Sequence, residues 1–96
     1  MEKATLEASI SVPEDVVFQD LDGEAVILSL EQGKYYGLDA VGTRMWRSLT
    51  EFGQVRPAYE ALLAAYEVPE EQLRQDLLKL IDELADLGLL QIENSG

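Results

Sequence analysis

The stretch Gly33-Lys34-Tyr35-Tyr36-Gly37-Leu38 decides the fold, because the chain changes character there. Its aromatic residues are typical of a short β-strand. The sequence before it carries a hairpin signal, and the sequence after it carries three helical patterns with apolar stripes. We therefore expect this strand to close a small sheet, and its outer edge to be the working edge of the molecule.

The segments around this stretch predict a three-stranded antiparallel meander. Val16 to Leu21 is β-branched and aromatic, and Asp22-Gly23 supplies the positive φ angles of a tight hairpin turn. The second strand spans Glu24 to Leu30, and the third runs from Lys34 to Leu38. Alternation predicts that one set of the second strand faces the core, namely Val26, Leu28 and Leu30, and that the other set faces away, namely Ala25, Ile27 and Ser29.

Three helices are predicted downstream. Asp39 is a good N-cap for a helix that begins at Ala40 and stops at Gly53. The expected buried face of this first helix consists of Val41, Met45, Leu49 and Phe52, with Trp46 beside them. A second helix begins near Gln54 to Arg56, and a third runs from Pro69 to Leu87.

The third helix carries more apolar side chains than one packing face requires. A full core stripe is formed by Leu73, Leu77, Leu80, Leu84 and Leu87, and an adjacent extra stripe by Leu78, Ile81 and Ala85. The extra stripe is a candidate lining for a groove. The order of elements predicts an α+β fold of the winged-helix kind. The recognition domain should span residues 16–92. Residues 1–15 are expected to form an arm or an edge strand, and residues 93–96 a frayed tail. Leu89 to Ile92 is a candidate final strand.

Composition excludes most chemistry and several partner classes. The chain has no Cys and no His, which removes thiol nucleophiles, disulfides and the usual zinc ligands, so we expect no enzyme, metal site or cofactor. Nineteen acidic residues against seven basic ones, a net charge of -12, repel phosphate backbones, so no nucleic-acid partner is expected. No apolar run approaches the ~20 residues of a membrane span, and a cytoplasmic location is expected.

Side chains of the central strand and the third helix are the candidates for peptide contact. Tyr35 either packs on the sheet or belongs to a peptide-contacting surface, while Tyr36 and Leu38 should point with the core set. Gly37 marks a bulge or bend, or else it lets another backbone approach. Leu78 and Ile81 are either covered by the other helices or form an apolar trough with the third strand. Arg74 either meets an acidic peptide group or is simply solvated.

Several segments together resemble the PqqD-like family of RiPP recognition elements. These segments are Gly23-Glu24-Ala25-Val26-Ile27-Leu28, Gly33 to Asp39, Val41-Gly42 with Trp46, Tyr66-Glu67-Val68, Asp76-Leu77 and Leu84-Ala85-Asp86-Leu87-Gly88-Leu89-Leu90. The resemblance covers Val16 to about Ile92. It implies a stand-alone domain that captures the leader segment of a ribosomally made precursor peptide and presents it to maturation enzymes.

The resemblance also implies where the leader lies. In that family it adds as a strand to the third β-strand and lies against the third helix. The implied contact residues here are Lys34, Tyr35, Tyr36, Gly37 and Leu38 on the strand and Arg74, Leu77, Leu78 and Ile81 on the helix. The trough described above falls in the same place.

The chain departs from the PqqD of pyrroloquinoline quinone synthesis at the turn before the third strand. It lacks an aromatic-proline-glutamate-glycine signature and has Glu31-Gln32-Gly33-Lys34-Tyr35-Tyr36 instead. In this it is more similar to the small recognition proteins of lasso-peptide pathways. The implied partners are then a leader peptidase and a macrolactam-forming synthetase.

Two other classes share this architecture. A winged-helix DNA-binding regulator should carry a basic recognition helix, but Pro69 to Leu87 holds six acidic residues against Arg74 and Lys79. A self-associating structural domain would use the same strand edge on a second copy of the chain. The sequence argues against the first class and leaves the second open.

Overall fold

The predicted α+β, winged-helix-like fold is confirmed in a computed structural model, which describes residues 4–94. A three-stranded antiparallel meander precedes three helices, and two further short strands flank this unit. In chain order the elements are β1 (Ala8–Ser11), β2 (Val16–Leu21), β3 (Glu24–Ser29), β4 (Tyr35–Gly37), α1 (Ala40–Phe52), α2 (Val55–Ala65), α3 (Glu70–Asp86) and β5 (Gln91–Asn94).

The meander has the strand order β2-β3-β4. Asp22 and Gly23 both have positive φ, as the tight turn between β2 and β3 demands. The pairing of Val17 with Leu28 fixes the first register, and the pairing of Ile27 with Tyr36 fixes the second. β4 therefore lies at one edge of the sheet.

The prediction of which β3 face is buried is wrong. Ala25, Ile27 and Ser29 face the helices and are almost fully buried, whereas Leu30 is 65% exposed. Small side chains on the inner face allow α1 to lie close, and the Ala25 N–H donates a buried 2.9 Å hydrogen bond to Thr43 Oγ1 on that helix. Alternation along β3 divides its side chains between two faces of the sheet. Which face is buried depends on the side from which the helix packs.

Helix α1 has the predicted ends. The Asp39 carboxylate accepts a 2.7 Å hydrogen bond from the Gly42 N–H, and Gly53 adopts the left-handed conformation at the C-terminus. Its buried face differs from the prediction, because Val41 and Phe52 are exposed. The residues that α1 buries are Thr43, Met45, Trp46 and Leu49.

The two ends of the chain are joined in a second, two-stranded sheet. Strand β1 pairs antiparallel with β5, so that Ile10 lies opposite Ile92. Ala4, Ala8 and Ile10 are buried in the core. Of the two alternatives for residues 1–15, the edge strand is the one present at Ala8–Ser11, and β5 extends to Asn94 into the segment expected to fray. Pairing lets an edge strand with apolar side chains gain burial. Residues 1–3 and 95–96 lie outside the described residues.

The core lies between the inner face of the meander and the three helices. Its largest fully buried side chains include Ile27, Leu49, Leu77, Ile81 and Leu84. Helices α1 and α2 pack on each other, and α3 closes the side next to β4. None of the helices in residues 4–94 is long and apolar enough to cross a membrane.

Candidate functional site

The outer edge of β4 is unpaired among the described strands. The Ser29 N–H donates to the Lys34 carbonyl, and the Leu38 N–H donates to the Ala25 carbonyl, each at 2.8 Å. In an antiparallel ladder the backbone groups of successive residues point to opposite edges. Since Lys34 and Leu38 point their bonded groups toward β3, the backbone groups of Tyr35 and Gly37 point toward the open edge.

A groove of about 280 Å³ runs beside this edge. One side is formed by β4 and the start of α1, and the other by Asp76 and Leu80 of α3. Its floor includes the nearly buried apolar side chains of Leu38, Met45 and Leu80. An extended chain paired with β4 would therefore place alternate side chains over an apolar floor.

Tyr36 joins β4 to the far side of the groove. Its hydroxyl donates a 2.7 Å hydrogen bond to Glu83 Oε2 on α3. This bond, together with partial burial, raises the pKa of Tyr36, since the protonated phenol is the form that donates. The bond ties the strand to the helix and so fixes the width of the groove at that point.

Two of the four α3 residues implied by the family resemblance do not reach the surface. Leu77 and Ile81 are 0% exposed and belong to the hydrophobic core. Their side chains pack against the inner face of the fold and offer no contact area to a peptide lying beside β4. Of the two alternatives for Ile81, burial in the core is the one found, so Ile81 does not line a trough with β4.

The other two α3 residues lie on a different flank of the helix. Successive helical residues are turned by about 100°, so Leu78 lies about 160° from Leu80, which lines the groove. Leu78 is half-buried, and Arg74 forms an exposed ion pair with Glu71 on its own helix. On the same flank, Asp82 accepts a 2.8 Å hydrogen bond from the Ala4 N–H, so this side of α3 faces the N-terminal segment.

The α3 residues beside β4 are ones that sequence reasoning missed. Asp76, Leu80 and Glu83 are spaced four and three residues apart and share one flank. The sequence places Leu80 in the core stripe, includes Asp76 only in the family resemblance and assigns no binding role to Glu83. The available signal was that these three residues recur on one side of the helix. Which element packs against that side becomes clear only when the packing of α3 is known.

The strand residues lie together, as expected. Lys34 and Tyr35 are exposed, Tyr36 is half-buried over the groove, and Leu38 is buried in its floor. Tyr36 and Leu38 point with the core set, and Tyr35 points away from it, but Tyr35 lies beside Leu28 and not beside Ile27. Gly37 carries no side chain on the outward side.

Carboxylates dominate the charge around the groove. Asp39 and Asp76 lie at its rim, and Glu83 accepts the bond from Tyr36. Within residues 4–94 no group of three or more carboxylates is arranged to hold a metal ion. The groove thus combines an open strand edge, apolar side chains in its floor and an acidic rim.

Comparison with known protein families gives one match. The family described as Coenzyme PQQ synthesis protein D (PqqD) matches residues 24–90. That span begins at β3, includes β4 and all three helices, and ends just before β5. No curated protein sequence matches the chain.

Two solved structures are similar to this chain. One is "TbiB1 in Complex with the TbiA(beta) Leader Peptide", with 36% sequence identity, a TM-score of 0.77, and coverage of 83% of this chain and 93% of that chain. The other is "Lasso peptide synthetase B1 complexed with the leader peptide", with 18% identity, a TM-score of 0.77, and coverage of 86% and 98%. The second likeness concerns the fold alone.

Proposed function

The chain belongs to the PqqD family, and from this premise we propose that it is a RiPP recognition element that binds the leader segment of a ribosomally made precursor peptide. The leader adds as a strand to the open edge of β4 and packs its inward side chains on the groove beside α3. The domain performs no chemistry itself. It delivers the precursor to maturation enzymes in the cytoplasm, where ribosomal products first appear.

The observation that carries this proposal is an unpaired strand edge directly above an apolar groove. Tyr35 and Gly37 present unpaired backbone donors and acceptors toward that edge, and Leu80 lies across the groove from it. Strand addition satisfies such groups with main-chain hydrogen bonds, while pockets for alternate side chains give specificity. The 36% identical TbiB1, solved with a leader peptide, supports the same use of the fold.

The open strand edge and one apolar anchor supply part of the free energy that micromolar binding requires. Up to four main-chain hydrogen bonds contribute about 0.5 to 1.5 kcal/mol net each, and one well-buried apolar anchor adds about 1.5 to 3 kcal/mol. Ordering the peptide subtracts from this sum. A dissociation constant near micromolar corresponds to about 8 kcal/mol, so the edge and one anchor reach that range only with additional side-chain contacts.

Lasso-peptide maturation is the pathway we propose, because the sequence around the β3–β4 turn resembles that of the recognition proteins of lasso-peptide pathways. The enzymes that receive the bound precursor are then a leader peptidase and a macrolactam-forming synthetase. For the part of α3 that faces solvent, acidic residues outnumber Arg74 and Lys79, which disfavours a DNA-binding regulator.

The direct test is fluorescence polarisation with labelled peptides that tile the short reading frames beside the gene. The TbiA(beta) leader peptide serves as an additional probe. We expect one tiled leader segment to bind with a Kd of about micromolar or tighter, and a scrambled peptide of the same composition not to bind. Absence of binding by every tiled segment contradicts the proposal.

Self-association through β4 is the second candidate, because an unpaired strand edge invites pairing with a second copy. Sedimentation velocity over a range of concentrations, with and without the bound peptide, separates the two functions. A dimer that the peptide converts to monomers indicates a shared edge, whereas a monomer at all concentrations leaves peptide binding as the function of that edge.

A further inference from the structure

The face of the meander that points away from the helices carries several exposed apolar side chains, together with the polar Gln19 and Glu24. We call it the outer face and define it by Val17, Leu21, Val26, Leu28, Leu30 and Tyr35, whose side chains share one side of the sheet by strand pairing and alternation. Four of them, Val17, Leu21, Leu30 and Tyr35, are 42%, 55%, 65% and 72% exposed. A two-layer fold normally shows polar side chains on its free sheet face, so this surface requires a physical explanation.

Gly37 leaves a hollow in the outer face next to the open edge. It lies opposite Val26, on the same side of the sheet as Tyr35. A Cβ atom added there meets no atom within 4 Å, and Gly37 is not among the glycines with positive φ. The backbone of β4 does not require glycine at this position. The consequence of the glycine is therefore the open space beside the strand and not an unusual backbone conformation.

The hollow and the open edge belong to the same two residues. Tyr35 and Gly37 direct their backbone groups to the open edge and their side-chain positions to the outer face. A guest strand paired there, parallel or antiparallel, alternates its own side chains between the groove and the outer face. Its outward set falls beside Tyr35 and over Gly37, whatever its direction.

We propose, resting on the function proposed above, that the guest peptide is held on both faces of the sheet. A bulky apolar side chain of its outward set, aromatic by preference, fills the hollow over Gly37 and packs against Tyr35 and Val26. The occupant of this part of the outer face is thus the guest strand itself, because the apolar side chains of Val26, Leu28 and Tyr35 extend to the edge that binds it. Aromatic side chains commonly cover an edge glycine of a neighbouring strand in this way.

The proposal defines the class of peptide that binds. A strand held only over the groove needs apolar residues at every second position, whereas a strand held on both faces needs neighbouring apolar residues at the centre of the recognised segment. Cross-strand pairs of this kind contribute enough to change affinity by about two- to tenfold. The recognised segment should therefore read as a short continuous apolar run and not as a simple alternation.

The test is an alanine scan of the tightest-binding tiled peptide, measured by fluorescence polarisation against three forms of the protein. The forms are the wild type, Tyr35→Thr and the control Leu21→Thr. Threonine keeps the strand propensity at both positions, and both parent side chains are exposed, so the fold is retained. Leu21 lies on the same outer face but on β2, two strands away from the open edge.

On the wild type we expect sensitive peptide positions of both alternating sets. Tyr35→Thr should weaken the parent peptide about two- to tenfold and should abolish the sensitivity of the outward set alone, while Leu21→Thr should change neither. The inference is overturned if only one alternating set is sensitive on the wild type. The inference is also overturned if Tyr35→Thr reduces the sensitivity to alanine equally at every position of the peptide.

Two further outcomes separate this inference from its premise. If no tiled peptide binds the wild type, the proposed function fails, and binding on both faces of the sheet fails with it. If a peptide binds but Tyr35→Thr leaves the scan unchanged, only the binding on both faces fails. A dimer in sedimentation velocity that Tyr35→Thr converts to monomers assigns the outer face to a second copy of the chain and also overturns the inference.

Discussion

Single buried polar side chains explain why this chain packs as it does. Ser29 is fully buried, and its hydroxyl donates a 2.6 Å hydrogen bond to the Asp15 carboxylate, which lowers the pKa of Asp15. Thr43 accepts the bond from the Ala25 N–H. A buried polar group must find such a partner, so these bonds allow Ser29 and the Ala25 N–H to be buried under the helices.

Tyr36→Phe tests the bond that ties β4 to α3. Removing the hydroxyl leaves the Glu83 carboxylate without its donor, and because the site is partly open to water we expect a loss of about 1 kcal/mol in the free energy of unfolding. Urea unfolding at neutral pH measures this loss. Tyr35→Phe is the matched control, since its hydroxyl is on an exposed side chain, and its stability should stay within about 0.5 kcal/mol of the wild type.

The same substitution changes the alkaline limb of the stability profile. The pKa of Tyr36 is raised by its bond to Glu83, so the phenol holds its proton more tightly in the folded state than in the unfolded one. The stabilisation is complete below the ordinary tyrosine pKa of about 10 and is lost as pH rises through the folded-state pKa. The stability difference between the wild type and Tyr36→Phe should shrink as the pH rises above about 10. A difference that stays constant there contradicts the hydrogen bond from Tyr36 to Glu83 as its cause.

Among the elements, α3 has three flanks with different neighbours. One flank holds the core residues Leu77 and Ile81, a second meets β4 through Leu80 and Glu83, and the third faces the N-terminal segment through Asp82. Apolar side chains occur on all three flanks, so hydrophobicity does not reveal which one borders the groove. The role of each flank is determined by the element that packs against it.

Leu80→Ala and Leu78→Ala form a matched pair for the flank that faces β4. Leu80 lines the groove, whereas Leu78 is half-buried on the opposite flank. Both variants should lose stability, because each truncates a leucine that packs against the core. Only Leu80→Ala should also weaken the bound leader peptide, by about tenfold, since about 1.5 kcal/mol of apolar contact is removed.

Fluorescence polarisation at a temperature where both variants are folded measures this pair. Circular dichroism melts establish that temperature. Equal affinities of the two variants for the leader peptide would contradict the placement of the groove beside Leu80.

At the scale of the whole molecule, the two ends of the chain complete the fold. Strands β1 and β5 pair across almost the full length of the sequence, and Ala4, Ala8 and Ile10 belong to the core. In a domain of this size the apolar surface available for burial is small, so these few side chains matter. The meander and helices are therefore not the complete stable unit.

Ile10→Ala tests the contribution of the N-terminal strand. Ile10 is 7% exposed, and truncating a buried isoleucine to alanine costs about 2 to 4 kcal/mol. Val12→Ala is the control, because Val12 follows β1 and is an exposed side chain, so its effect should stay below about 1 kcal/mol. Chemical unfolding of both variants decides the matter, and a wild-type stability for Ile10→Ala would mean that residues 8–11 act as a loose arm.

Caps, turns and periodicity are local, so the sequence predicts the order of the meander strands and helices and the ends of α1: Asp39 and Gly53 delimit α1, and Asp22-Gly23 closes the hairpin. It also carried the family resemblance that the match over residues 24–90 confirms. The packing of the helices on the sheet selects the buried face of β3 and the flank of α3 that borders β4. A period of two or of 3.6 residues defines sets of side chains, but the neighbouring element alone selects among them.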